Sequence, residues 1–153
     1  MKRKIILIGK NEFGSLGEGW YGLEHSPEGV WYRASAPKAE IHLPTPFETV
    51  TLSLLVTARP SHTGQPLEVE ITSGESGRFA FTLESNLWTI RKGVLDGNGG
   101  TTLQIRVKNP WSPDRLYQNG DARSLGILLS AIRIESLTRD STPEPSLWKS
   151  FKD

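Results

Sequence analysis

The 153 residues carry 18 Lys and Arg, 17 Asp and Glu and no Cys, with a formal charge of +1 and an apolar fraction of 36%. That length suits a single core, since domains commonly run to about 100–200 residues. The balanced charge excludes the concentrated basic surface of a nucleic-acid binder, and the missing thiols exclude a disulfide framework, a thiolate nucleophile and a Cys-type zinc site. The opening MKRKIILIGKNE has the basic head of a secretion signal, but its apolar run, Ile5 to Ile8, falls short of the roughly 7–15 residues such a signal uses. No other run approaches the roughly 18 apolar residues that cross a bilayer. A cytoplasmic chain without membrane insertion is therefore expected, freestanding or as a soluble piece of something larger.

Along the chain, apolar residues recur at every second position, the period of strands with one buried face. Ile41 and Leu43 come first, then Leu52, Leu54 and Val56, then Leu67, Val69 and Ile71. Phe79, Phe81 and Leu83 follow, and then Leu103, Ile105 and Val107. Turn clusters such as HSPEG, RPSHTGQP and SGESG separate these runs. The DGNGG at Asp96 to Gly100 predicts a tight hairpin, because its residues tolerate positive φ. A structural calcium on Asp96 and Asn98 is the weaker alternative, since a cation shell needs about six to eight oxygens; no other cofactor is expected. In the last strand Leu125, Ile127 and Leu129 share one parity and Ile132 and Ile134 the other, which predicts a bulge near Ser130 and Ala131.

Short antiparallel strands without crossover helices predict an all-β fold, a jelly-roll β-sandwich spanning residues 1–137. An immunoglobulin-like sandwich is the competing topology. Residues 138–153 form a polar tail whose Trp148 and Phe151 either dock on the domain, which the cost of exposing large aromatics favours, or serve as a tag for another surface.

Reactive groups do not converge in the sequence. The G-x-S-x-G elbow, the phosphate loop, the dinucleotide fingerprint and H-E-x-x-H are absent. His25, His42 and His62 are too scattered to propose a metal site. Chance carboxylate pairs say nothing about glycoside hydrolysis, so no catalytic residue is assigned and the chain is expected not to be an enzyme.

The stretch GWYGLEHSPEGVWYRAS reads as a hairpin with more to offer. If Tyr21 and Leu23 face the core, Trp20 and Glu24 face outward; if Val30, Tyr32 and Ala34 face the core, Trp31 and Arg33 do likewise. A short turn would then gather Trp20, Glu24, Trp31 and Arg33 into one wall. Indoles pack on the C–H face of a pyranose and charged planar groups bond its hydroxyls. The plainer reading is a Glu24–Arg33 cross-strand pair beside tryptophans that cover a sheet edge. Later in the chain Trp111, Tyr117 and Asn119 precede Asp121 and Arg123, which point the same way on an extended backbone. As a site this loop offers a stacking ring and hydroxyl partners; as a lock, which is favoured, Asp121 clasps Arg123.

The succession GWYGLE, YRASAPKAEIHLP and NPWSPDRLYQNGDARSLGILLSAIRI resembles the galactose-binding-domain-like, carbohydrate-binding-module type of β-sandwich associated with bacterial and archaeal glycosyltransferases. The likeness runs from about Gly19 to Ile134 and is most specific at DARSLGILLSAIRI. It implies a non-catalytic accessory domain that recognises a glycan or oligosaccharide, or assists a glycosyltransferase, with Trp20, Glu24, Arg33, Asp121 and Arg123 at matching positions. Ala34 departs from the aromatic residue expected nearby. The alternative function is a protein-interaction or scaffolding domain for a partner enzyme; a glycan hydrolase ranks third.

Overall fold

A computed structural model describes residues 3–59, 64–75 and 77–136; the tail with Trp148 and Phe151 lies outside the described residues. Eight strands and one short helix follow in order: β1 (Arg3–Leu7), β2 (Trp20–His25), β3 (Trp31–Ser35), β4 (Lys38–Thr57), β5 (Leu67–Ser73), β6 (Gly77–Leu83), β7 (Thr89–Val107), α1 (Pro113–Tyr117) and β8 (Leu128–Ser136). The antiparallel sheet runs β2-β3-β8-β4-β7-β5-β6, with β1 also paired to β8. This is the expected all-β jelly-roll sandwich, made by one sheet that curls over its own core.

The curl has a local cause. Pairing of β4 with β7 runs from Lys38↔Arg106 to His42↔Thr102, breaks around Phe47, and resumes from Thr49↔Asp96 to Val56↔Thr89. Pro44 and Pro46 sit in the break, where they cannot donate to a ladder. Opposite them lies Gly97, where a Cβ would stand 2.3 Å from the Phe47 ring. The DGNGG segment is therefore not the predicted hairpin. It is a corner inside a 19-residue strand, where glycine admits the Phe47 ring instead of reversing the chain. The Asp96 carboxylate accepts the Thr49 hydroxyl at 3.1 Å.

The phase change in the last strand is the predicted bulge. Leu55 pairs with Ala131 and Val56 with Leu129, so Ser130 is the extra residue, and its carbonyl accepts the Ile8 N–H at 3.0 Å. The bulge returns both apolar sets to the core: Ile127, Leu129, Ile132 and Ile134 are fully buried, with Ile6, Leu52, Leu54, Ile71, Leu103 and Ile105 in the same cluster.

Candidate functional site

Directly opposed residues share a face of a sheet, and the registers assign those faces. Arg33 stands opposite Leu129, which stands opposite Val56; this is the face that carries the core. Ala34 stands opposite Leu128, and Leu128 opposite Thr57, so these three belong to the outer face, as does Tyr32 by alternation. Glu24 pairs with Tyr32 and joins that face. By burial much of the β3 reading holds: Ala34 is fully buried in the core cluster and Tyr32 packs against it, while Trp31 is exposed, although the register sets Arg33 on the Val56 and Leu129 side. Alternation separates two faces without telling which one meets the core, and here the outer face is itself well covered at Ala34, Thr57 and Leu128.

On this outer face an aromatic and charged cluster forms. The Tyr32 ring meets Trp88, which immediately precedes β7, with centroids 5.9 Å apart and planes tilted by 50°. Both rings are half-buried against the core cluster. Beside them Arg123 donates from Nε to Asp121 Oδ1 at 2.8 Å and from Nη2 to Oδ2 at 2.6 Å. Its Nη1 lies 3.9 Å from Glu24 Oε2, and its guanidinium carbon sits 5.0 Å from the centroid of the Tyr21 ring, a cation–π stack. The loop itself is braced from below: Gly120 N–H donates to Asp114 Oδ1 at 2.6 Å, and Asp121 N–H to Asn119 Oδ1 at 2.9 Å.

The electrostatics follow from these contacts. The Arg123 hydrogen bonds hold Asp121 below the usual carboxylate range, and Asp121 in turn raises Arg123. Burial pushes the Tyr32 phenol up, and the Glu24 charge adds to the push. Tyr32 thus stays a neutral hydroxyl that can donate and accept.

Three of the predicted residues, Glu24, Asp121 and Arg123, are brought together, and the expected Asp121–Arg123 clasp is present. The wall of Trp20, Trp31, Glu24 and Arg33 is not. Trp20 is half-buried and donates its indole N–H to the Glu40 carbonyl at 2.8 Å, bracing the start of β4; a register shift between Trp20 and Leu23 separates it from the rest. Trp31 and Arg33 lie on the face opposite Glu24. Arg33 bonds Glu12 Oε2 at 3.2 Å and the Tyr21 carbonyl at 3.1 Å, so the Glu24–Arg33 pair is replaced by Glu12–Arg33. Burial raises the Glu12 carboxyl, but the Gly9 N–H, its own N–H and the Arg33 guanidinium outweigh it, and the net shift is downward. Trp31 is 47% exposed, edge-on to His25 at 4.9 Å, with Gly9 against its ring. Trp111 is only 5% exposed and donates to the Gly126 carbonyl at 2.7 Å; it is part of the core and presents no face to a ligand. Tyr117 closes α1, and its side chain lies outside the described residues.

Tyr21, Tyr32 and Trp88 escaped the sequence reading. The two tyrosines were assigned to the core by parity. Trp88 stands alone in SNLWTI, with no periodic neighbour to mark it.

No protein-family model matches the chain, nor does any curated protein sequence. Among solved structures the chain is similar to the C-terminal CBM6 of LamC, a marine laminarinase from Zobellia galactanivorans. That match has a TM-score of 0.50 at 12% identity and covers 88% of this chain and 99% of that one. The fold is a β-sandwich that matches the one seen in that module. A ruminal GH26 endo-beta-1,4-mannanase is also similar, at a TM-score of 0.47 and 14% identity over 94% of this chain and 27% of that one. At such identities the likeness is one of fold, and a shared fold does not carry a ligand with it. No described helix is long and apolar enough to cross a membrane.

Proposed function

We propose that the chain is a non-catalytic carbohydrate-binding accessory module of a polysaccharide-handling system, with its glycan seated on the outer face at Tyr32 and Trp88. The observation that supports this most is the ring pair. Two half-buried aromatic groups from distant parts of the sequence meet at 5.9 Å beside a carboxylate and a clasped guanidinium. Rings of this kind cover the apolar face of a sugar, while Glu24, Asp121 and Arg123 supply oriented acceptors and donors for its hydroxyls. A glycosyltransferase is the partner enzyme that the sequence resemblance suggests.

Titration calorimetry of the full chain against oligosaccharides retained on a glycan array tests the reading. Tyr32→Ala and Trp88→Ala should each weaken binding about tenfold, the scale of one lost aromatic contact, while Trp31→Ala should not. Retention of no glycan, or binding indifferent to both ring substitutions, would overturn it. Hydrolysis of a model glycoside by the purified chain would overturn the non-catalytic part.

A scaffolding role has one observation of its own. Leu23 is 41% exposed beside Trp31, and Phe13, next to the Glu12 that bonds Arg33, is fully exposed. Apolar groups gathered at a sheet edge suit a protein partner. A pull-down whose yield falls with Trp31→Ala and not with Tyr32→Ala would assign that role to this face.

A further inference from the structure

The outer face carries a second guanidinium that the clasp does not use. Thr57 ends β4 on the outer face, opposite Leu128; Ala58, just past the strand, is fully buried in the core cluster, which turns Arg59 back toward the side of Thr57. Trp88 approaches from the adjacent strand, one residue before Thr89, which stands opposite Val56. The Arg59 charge is felt by the Tyr32 phenol and by Glu28 in the β2–β3 turn.

The two arginines differ in what they have left to give. Arg123 is committed to both oxygens of Asp121, to Glu24 and to the Tyr21 ring. Arg59 is half-buried, and among the described residues it makes no hydrogen bond and no ion pair within salt-bridge distance. A guanidinium has five N–H donors in a planar fork. Partly withdrawn from water, it is matched best by a planar anion that accepts two of those donors at once. A hydroxyl accepts one and leaves the charge uncompensated. Glu24, held loosely by Arg123 at 3.9 Å, remains an acceptor for sugar hydroxyls.

Resting on the glycan reading above, we infer that the sugar seated on Tyr32 and Trp88 carries a carboxylate, so that the ligand is a uronic-acid-containing glycan, with Arg59 as the residue that selects it. Sulfated glycans share the negative charge but not the planar two-oxygen edge.

The test uses the full chain and affinity electrophoresis in gels of oligogalacturonate, glucuronoxylan oligosaccharide and oligoalginate, each before and after chemical reduction of its carboxyl groups to alcohols. A sulfated galactan serves as the second anion. Carboxyl reduction should weaken retention of the bound glycan about tenfold, the scale of one charge-assisted pair. Arg59→Gln should lower the acidic form to the level of the reduced form, whereas Lys10→Gln, an exposed charge in the turn after β1, should keep the difference. Equal retention of acidic and reduced forms, a difference that survives Arg59→Gln, or preference for the sulfated galactan would each overturn the inference. If the equally retained forms are both lost with Tyr32→Ala, the glycan reading stands and only the acid selectivity falls. Retention of none of these nor of any neutral glycan overturns both.

Discussion

Arg123 divides its guanidinium among Asp121, Glu24 and the face of Tyr21, and each contact asks something different of it. Asp121 fixes its orientation with two short bonds, so Asp121→Asn should leave the ring stack in place but free the head group, weakening glycan binding without lowering the melting temperature appreciably. The pH behaviour follows from the same pair. Asp121 is depressed in the folded state, below its unfolded value of about 3.9. A carboxylate of this kind contributes its stabilisation above the unfolded pKa and loses it as pH falls through the folded one. The clasp should therefore stay closed through about pH 5 and open only below about pH 4, followed by NMR of the Arg123 Nε–H. Opening already near pH 6 would show that another group holds it. The clasp was legible because two residues on an extended backbone share a side. The approach of Glu24, from a strand about a hundred positions earlier, left no mark in the local pattern.

At the scale of elements, the corner in β4 and β7 shows where local reading stops. DGNGG contains the left-handed glycine that a turn reader expects, Gly99 at φ +81°. What the segment lacks in isolation is its partner. Pro44, Pro46 and Phe47 convert an apparent reversal into a bend, because the Phe47 ring occupies the volume of a Gly97 side chain. Gly97→Ala should thus destabilise by about 1–3 kcal/mol through overpacking, and Phe47→Leu in the same chain should recover part of the loss. Gly99→Ala, which meets nothing within 4 Å, should cost about 1–2 kcal/mol from its backbone conformation alone, unrelieved by Phe47→Leu. Urea denaturation of the double-mutant cycles separates the two; equal coupling at both positions would contradict the packing account. The Ser130 bulge, in contrast, was readable from sequence because both parities of β8 carry large aliphatic groups, and only an extra residue buries both.

For the molecule as a whole, the alternating runs gave the core almost intact, since Leu52, Leu54, Val56, Leu103 and Ile105 are all fully buried. Leu54→Ala should cost about 2–5 kcal/mol by deletion of buried volume, read from the urea midpoint; a change below about 1 kcal/mol would place Leu54 outside the tightly packed centre. The candidate site was less accessible to such reading. A sheet with two covered faces yields the same apolar rhythm whichever side turns to the ligand, and Tyr32 and Trp88 acquire meaning only once β8 and β4 stand between their strands. Continuity of β4 and β7 through the corner also governs how the molecule comes apart. No seam divides one half from the other, because the same two backbones serve both. Heating should accordingly melt the half that carries Tyr32 and Trp88 and its counterpart together, and any ligand held on one side would steady amides on the far side of the wrap.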